Sequence, residues 1–338
     1  MPNLYTPLCH LLHIELPIIQ APMGRATNPS MAAAVSNAGG LGMLAMSRRP
    51  LDDMRRVTRE IRELTERPFG VNFVLRPSDR REEIEAGVKV CLEEGAPVVS
   101  FFWDEASQYV DMVHAAGALV MYTVPSAVAA RRAVDAGVDI IVAQGWEAGG
   151  HVRGEVATLP LVPRVVDAVA PTPVIAAGGI ADGRGVAAVL ALGAAGAWLG
   201  TRFVASAEAD LHPRYKAKLL EKVETDTILS CLFDIGWPDA PCRTLCNSTV
   251  TQWEAAGRPP SGQRPGEGDV VAQWADGRSV VRYAASLPYA EITGDIEAME
   301  LCAGQSVGLV TRIQPAGAIV RELAEEAEQV LRRCAGLV

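Results

Sequence analysis

The stretch PVIAAGGIADGRGVAAVLALGAAGAWLGTRF, residues 173–203, decides the fold. It begins with an apolar run, turns through Gly178 and Gly179, continues as an alanine-rich segment and ends in a second apolar run at 196–203. A continuous apolar strand followed by a helix and another such strand is typical of a parallel sheet covered on both faces. The stretch therefore predicts one strand–helix–strand unit of an α/β protein.

The same alternation recurs through the N-terminal part of the chain. Eight apolar runs can be distinguished, at 17–21, 40–46, 69–75, 98–103, 118–124, 139–145, 173–179 and 196–203. Helical segments separate them; the first has Asn28 as N-cap, Pro29 in its first turn and Gly39 as its stop. A doubly wound open sheet is the alternative, but the number and even spacing of the runs favour a (β/α)8 TIM barrel over residues 1–203.

The alternation stops after Phe203. Residues 204–300 contain clustered proline and glycine, as in AAGRPPSGQRPGEGD, and no further strand–helix repeat. We expect a mainly helical insertion that caps the barrel mouth and lies between strand eight and the closing helix. Residues 301–338 would then supply the closing segment and the C-terminal helix of the barrel, within AGAIVRELAEEAEQVLRR.

Composition limits the class of partner. The formal net charge of −9 argues against a nucleic-acid groove and against an anionic membrane surface. No apolar stretch approaches the roughly 20 residues of a membrane span, and the first residues lack the pattern of a signal peptide. We therefore expect a cytoplasmic protein with a small-molecule substrate, as a monomer or a homodimer.

The seven cysteines show no metal-binding pattern. The closest pair, Cys242 and Cys246 in CRTLC, lacks two further ligands at a zinc-like spacing. Reduced thiols and no metal site are the prediction.

Two glycine-containing turns indicate a phosphate site. In barrels of this kind, the turns after strands seven and eight commonly bind phosphate through backbone N–H groups. Gly178 and Gly179 follow the seventh run, and Gly200 and Thr201 fall at the eighth. These four residues are predicted phosphate ligands.

Amide side chains indicate that the phosphate belongs to a flavin. Asn72 interrupts the third run and Gln144 ends the sixth, where their amides can face a ring that carries donors and acceptors. Pro22, in QAPMG, fixes backbone that can bind a planar heterocycle. The dinucleotide fingerprint is missing, because GLGML lacks its third glycine. FMN is therefore favoured over a bound NAD.

The loop QGWEAGGHVRG, residues 144–154, sets glycines around His151. Glycines leave room for a ligand to approach the backbone closely, which a packed core histidine does not need. Within the loop, Glu147 is either a general base or an acid that bonds the backbone of its own loop. Of the other histidines, His212 is a weaker candidate for the site.

With these pieces assembled, the chain resembles the nitronate monooxygenase family, FMN-containing barrels formerly called 2-nitropropane dioxygenases, which also include flavin-dependent enoyl-acyl-carrier-protein reductases and NADH:quinone reductases. The matching pieces occur in order along nearly the whole chain: PIIQAPMG, GVNF, QGWEAGGHVRG, VIAAGGIADGRG, GAWLGTRF and ELCAGQSVGL. Some reductase relatives carry a lysine near the end of strand five, where this chain has Tyr122 and Thr123.

The resemblance implies both a cofactor and a site. It implies His151 as the active-site residue beside the flavin, and FMN contacts from Ala21, Pro22, Met23, Asn72, Gln144, Gly149, Gly150, Gly178, Gly179, Gly200, Thr201 and Gln305. The implied reaction oxidises an alkyl nitronate, or a nitroalkane, with O2 to a carbonyl compound and nitrite. Two alternatives stay open: an FMN-dependent NAD(P)H oxidoreductase acting on a quinone or an enoyl thioester, and a flavin-binding barrel without catalysis.

Overall fold

Eight parallel strands form the core of the molecule in a computed structural model that describes residues 4–337. All strands of the molecule are numbered together in chain order, and β7 belongs to a smaller sheet described below. The barrel strands are β1 (Ile18–Gln20), β2 (Gly42–Ala45), β3 (Phe69–Leu75), β4 (Val98–Trp103), β5 (Leu119–Val124), β6 (Ile140–Gln144), β8 (Val174–Ala177) and β9 (Gly196–Leu199). Their order in the sheet is β1-β9-β8-β6-β5-β4-β3-β2. Each predicted run contains one of these strands. The eighth predicted run, 196–203, extends too far, because the strand ends at Leu199, before Gly200.

The sheet closes between β1 and β2. The Leu41 N–H donates to Ile18 O at 2.9 Å, and the Gln20 N–H donates to Leu41 O at 3.0 Å. The buried side chain of Gln20 completes the seam, since its Oε1 accepts the Met43 N–H at 3.0 Å. The (β/α)8 barrel is confirmed, and the open doubly wound sheet is excluded.

Helices surround the barrel. They are α1 (Pro7–Leu12), α2 (Pro29–Asn37), α3 (Leu51–Leu64), α4 (Arg81–Glu93), α5 (Ser107–Ala115), α6 (Ala127–Asp135), α7 (Thr158–Val169), α8 (Gly183–Ala191), α9 (Thr201–Val204) and, at the end of the chain, α12 (Ala316–Ala335). As predicted, Asn28 caps α2 by accepting the Met31 N–H, and α12 is the closing helix, packed against α8 and α2. In the described part of the chain, no helix is long and apolar enough to cross a bilayer.

One end of the barrel is closed by apolar side chains. Leu8 and Leu12 of α1 are buried in the same cluster as Met43, Met121 and Ile140 from the barrel strands. Because α1 covers the N-terminal ends of the strands, the opposite, C-terminal edge is the one left for a site.

The segment between α9 and α12 was predicted to be mainly helical, and this prediction is wrong. It contains α10 (Pro213–Leu220) and α11 (Ser248–Ala255), but also most of two small sheets. One sheet is ordered β10 (Thr227–Ser230), β11 (Cys242–Leu245) and β7 (Gly150–His151); the other is ordered β13 (Ser279–Val281), β12 (Val270–Gln273) and β14 (Thr293–Gly294). Asp276-Gly277, in VVAQWADGRSVV, is a hairpin signal that explains the second sheet.

The first of these sheets joins the insertion to the barrel. β11 pairs with β7, so that Cys242 lies opposite His151 and Arg243 opposite Gly150. The insertion is therefore hydrogen-bonded to the loop that follows β6, at the C-terminal edge of the barrel. The domain limits at 203 and 300 stay predictions.

Gln20 offers a test of barrel closure. Gln20→Met keeps the shape of the side chain but leaves the buried Met43 N–H without an acceptor, so we expect the free energy of unfolding to fall by about 1–3 kcal/mol. The measurement is urea unfolding followed by circular dichroism. The matched control is Gln252→Met, on the exposed face of α11, which should change stability by less than about 0.5 kcal/mol. Equal midpoints for the two variants would contradict this role of Gln20.

Candidate active site

A cavity of about 550 Å³ opens at the C-terminal edge of the barrel. Its volume falls in the range of small-molecule and cofactor sites. Apart from Gln305, every predicted cofactor residue lines it together with His151: Ala21, Pro22, Met23, Asn72, Gln144, Gly149, Gly150, Gly178, Gly179, Gly200 and Thr201. The structure therefore brings the predicted set together, although the residues come from the ends of many different strands.

Gln305 is the exception. Its neighbours Gly304 and Ser306 line the cavity, whereas the Gln305 N–H donates to Glu147 O at 3.0 Å. In this position, Gln305 fixes the loop that carries His151. Gln305 itself does not line the cavity.

The glycines after β8 form a cradle of free donors. Gly178 and Gly179 have φ of +98° and +73°, a conformation that favours glycine. A Cβ on Gly178 would lie 2.9 Å from Gly145 O. The N–H groups of Gly179 and Ile180 donate to no residue within 4–337. Successive free N–H groups beside left-handed backbone fit an anion such as the phosphate of FMN.

The neighbouring helix α8 has most of its first-turn donors paired. Asp182 caps it by accepting the Gly185 N–H at 3.1 Å, and Glu326 accepts the Gly183 N–H at 2.7 Å. Arg184 is ion-paired with Asp182 on the surface and does not line the cavity. Of these two features, the glycine turn after β8 is therefore the better fit for a phosphate.

The amides of the site are available to a ring. The Asn72 side chain makes no hydrogen bond to the described residues and faces the cavity. Gln144 Nε2 donates to His151 O at 3.1 Å, which leaves its oxygen toward the cavity. The free donors, the free amide groups and the volume together fit FMN.

The glycine loop is packed against the end of the insertion. A Cβ on Gly149 would lie 2.4 Å from Gly304 N, so residue 149 must be glycine for the two backbones to touch. Gly150 has φ of +72° and open space around it. The loop glycines thus serve backbone packing and conformation as well as ligand access.

Glu147 braces the loop and is not positioned as a base. Its carboxylate accepts the Thr158 N–H at 2.9 Å and the Thr158 hydroxyl at 3.0 Å, at the start of α7. Of the two alternatives for Glu147, the structure selects the acid that bonds backbone next to its own loop.

His151 is held between aromatic rings. Its imidazole stacks on Trp237 with centroids 3.9 Å apart and contacts the edge of Trp103 at 5.9 Å. Nε2 is buried and has no hydrogen-bond partner among residues 4–337. Burial, followed by the positive charges of Arg48 and Arg76, lowers the His151 pKa to about 3. The imidazole is therefore neutral at physiological pH.

Sequence reasoning missed the arginines that line the cavity, of which Arg48 and Arg76 are the two whose charges act on His151. Arg48 follows β2 in the left-handed region, with φ of +65°, and its Nη2 donates to Gly236 O at 2.7 Å. Arg76 follows β3 and is paired with Asp79 at 2.8 Å. Both line the cavity. Their places directly after barrel strands were the signal that could have identified them.

Trp237 belongs to the insertion but lines the cavity and lies against His151. The Arg48–Gly236 hydrogen bond fixes the turn that presents it. Trp253, by contrast, packs within the insertion.

A buried cluster lies beside His151. Cys242 Sγ donates to Glu300 Oε1 at 3.0 Å and lies 3.5 Å from Cys302 Sγ. Burial raises the pKa of Glu300 to about 7 and raises the pKa of Cys242. Cys246 is the nearest cysteine to Cys242 along the chain, but the fold brings Cys302 to it instead.

The remaining candidates lie away from the chemistry. His212 Nδ1 accepts the Arg214 N–H at the start of α10, and His114 pairs with Asp139 at the surface. The Tyr122 hydroxyl donates to Asp104 O at 3.0 Å and is not on the cavity wall. His151 is therefore the one histidine among residues 4–337 that lines the cavity.

Comparison with known proteins relates the chain to one family of enzymes. The family model described as nitronate monooxygenase matches residues 5–326. A nitronate monooxygenase of Paraburkholderia phytofirmans is 33% identical, over 86% of this chain and 93% of its own. A dehydrogenase of a hydroxy-methyl-oxo-octahydro-indene-carboxyl-CoA from Mycobacterium tuberculosis is 38% identical, over 72% of this chain and 67% of its own. The structure of FabK from Thermotoga maritima has a TM-score of 0.81 and 34% identity, with 99% of both chains covered.

Variants of Glu147 distinguish a structural role of its carboxylate from a role as general base. Glu147→Ala leaves the Thr158 N–H without its acceptor, although the Thr158 hydroxyl keeps Gly178 O at 2.9 Å, so we expect the free energy of unfolding to fall by about 1–3 kcal/mol. Glu147→Gln keeps one acceptor oxygen and should retain turnover and most of the stability. The control is Glu155→Ala, which alters an exposed acid of the same connection. Loss of turnover in a fully folded Glu147→Gln protein would show that the carboxylate has a chemical role.

Proposed function

Because this chain belongs to the nitronate monooxygenase family and is an oxidoreductase of that type, we propose that it oxidises alkyl nitronates with O2, using FMN, to carbonyl compounds and nitrite. One observation carries the proposal: a neutral His151 faces the same cavity as the guanidinium groups of Arg48 and Arg76. A nitronate is a small anion, and this arrangement offers it positive charge beside an uncharged imidazole.

The cofactor would be held by the predicted residues. Gly178, Gly179, Gly200 and Thr201 would take the phosphate, and the remainder of the set would contact the ring from Ala21, Pro22, Met23, Asn72, Gln144, Gly149 and Gly150. Gln305 would act through Glu147 rather than by direct contact. Bound FMN would supply the electron acceptance and the reaction with oxygen, which side chains cannot provide.

The side chains of the chain would bind and orient the substrate. The guanidinium of Arg48 would attract the nitro oxygens, because a charge-assisted hydrogen bond in a desolvated cavity is stronger than one in water. With its pKa lowered to about 3, the His151 imidazole is a weak base, so it would accept a hydrogen bond rather than remove a proton from carbon, which favours the nitronate anion over the neutral nitroalkane as substrate. Trp237 would keep the plane of this ring fixed by stacking.

The first experiment is a spectroscopic one. Purified protein should be yellow, and anaerobic addition of propyl-2-nitronate should change the flavin spectrum while NADH has little effect. His151→Asn should keep the flavin and lose most of the turnover with propyl-2-nitronate. A colourless protein that cannot take up FMN would overturn the proposal, and so would full turnover by His151→Asn.

Arg48 gives a graded test of anion binding. Arg48→Met should raise KM for the nitronate by about tenfold to 100-fold, the equivalent of one lost charge-assisted contact. Arg48→Lys should recover part of the loss because it keeps the charge. Arg184→Met, outside the cavity, is the control. The measurement is steady-state kinetics of the variants. An unchanged KM in Arg48→Met would show that Arg48 does not contact the substrate.

A second candidate function is an FMN-dependent NAD(P)H oxidoreductase acting on a quinone or an enoyl thioester. At the cavity mouth, Trp274 lies between two guanidinium groups, Arg25 at 5.3 Å and Arg278 at 4.9 Å from its ring centroid. An aromatic ring beside cations suits the adenine and phosphates of a pyridine nucleotide or coenzyme A, and one relative acts on a CoA ester. Fast anaerobic bleaching by NADH, weakened in Arg278→Met, would favour this function over the first.

A further inference from the structure

The wall beside His151 contains three different metal-ligating side chains. A ring nitrogen of His151, Cys242 Sγ and a carboxylate oxygen of Glu300 all lie within 4.8 Å of one another. Cys242 and Glu300 are almost completely buried. Among residues 4–337 this is the only such group of histidine, cysteine and acidic side chains.

The backbone fixes the three ligands from different parts of the chain. Cys242 is the direct partner of His151 in the β11–β7 pair. The segment that carries Glu300 follows β7 along the same edge of β11, opposite β10, because Thr244 bridges to Cys302 and the Leu245 N–H donates to Leu301 O at 2.8 Å. The cluster therefore does not depend on flexible surface loops.

The protein alone does not satisfy the cluster. His151 Nε2 is buried without a hydrogen-bond partner in the described chain. Such an atom is uncommon in a native structure and calls for a ligand. Glu300 is bonded to the thiol of Cys242 and has no cationic side chain in an ion pair within 4–337. Imidazole, thiolate and carboxylate are the donors that zinc takes.

We propose that His151, Cys242 and Glu300 bind one Zn²⁺ ion, whose fourth coordination position opens to the cavity. Binding removes the proton of the Cys242 thiol to solvent and forms a sulfur–zinc bond, with no change of oxidation state. The thiolate and the carboxylate together balance the two positive charges of the ion, which lowers the cost of burying it. Three protein ligands and one open position are the pattern of an accessible zinc site rather than a closed structural one.

Occupation of this site has a consequence for the cavity. A zinc ion would use a lone pair of His151, so the metal and any substrate that needs this imidazole would exclude each other. The ion-binding site itself does not depend on which substrate the enzyme oxidises, and its test can therefore fail or succeed separately from the proposed function.

The test uses the flavin-loaded protein after chelation and dialysis. Zinc titration by calorimetry should give one site per chain with a Kd of roughly 1 μM or tighter, and the same ratio should remain bound after dialysis. X-ray absorption at the zinc edge should show one sulfur at about 2.3 Å and nitrogen or oxygen at about 2.0 Å. The absence of sulfur from the zinc shell would overturn the proposal.

Variants identify the ligands. Cys242→Ser and Glu300→Gln should each weaken zinc binding at least about tenfold, with circular dichroism to show that they fold. Two matched controls are Cys302→Ser, the neighbouring thiol outside the triad, and Cys231→Ser, an exposed thiol elsewhere; both should bind zinc as the parent does. Equal loss in Cys302→Ser, or none in Cys242→Ser, would overturn the assignment. If Cys242→Ser does not fold, the X-ray absorption spectrum of the parent protein at the zinc edge tests whether sulfur is a ligand.

Discussion

The pairing of β11 with β7 is the constraint on which the site depends. It is a short ladder, with Cys242 opposite His151 and Arg243 opposite Gly150. Through it, a strand of the insertion holds the loop that follows a barrel strand, and His151 becomes part of a sheet. The contact of Gly149 with Gly304 supports the same loop from the other side. Without these backbone contacts, a glycine-rich loop would have too much conformational freedom to fix an imidazole.

The electrostatics of the cavity follow from this arrangement. His151 is pressed between Trp237 and Trp103 and lies near two guanidinium groups, so burial and charge both oppose its protonation. The same burial favours the protonated form of the Glu300 carboxyl group. The cavity therefore combines positive charge from arginine side chains with a neutral imidazole and with a carboxyl group whose pKa is raised to about 7.

The sequence predicted the barrel well because its signals are local. An apolar run identifies a buried strand, and Asn28 and Pro29 mark a helix start, without knowledge of any distant residue. The residues at strand ends could be predicted for the same reason, since every parallel strand ends on one edge. Trp237, Cys242, Glu300 and Cys302 could not, because their meeting depends on pairing between segments more than fifty residues apart in the chain. The expectation of a helical insertion failed where such pairing builds small sheets.

The β11–β7 ladder also bears on how enzymes of this architecture diversify. An insertion that only covered a barrel could be exchanged between homologues as an independent module, with the chemistry left on the barrel. Here the cap supplies Trp237 and Glu300 and determines the backbone geometry of His151, so the cap and the loop of His151 form one structural unit. A cap transplanted onto another barrel would therefore have to bring its partner loop with it.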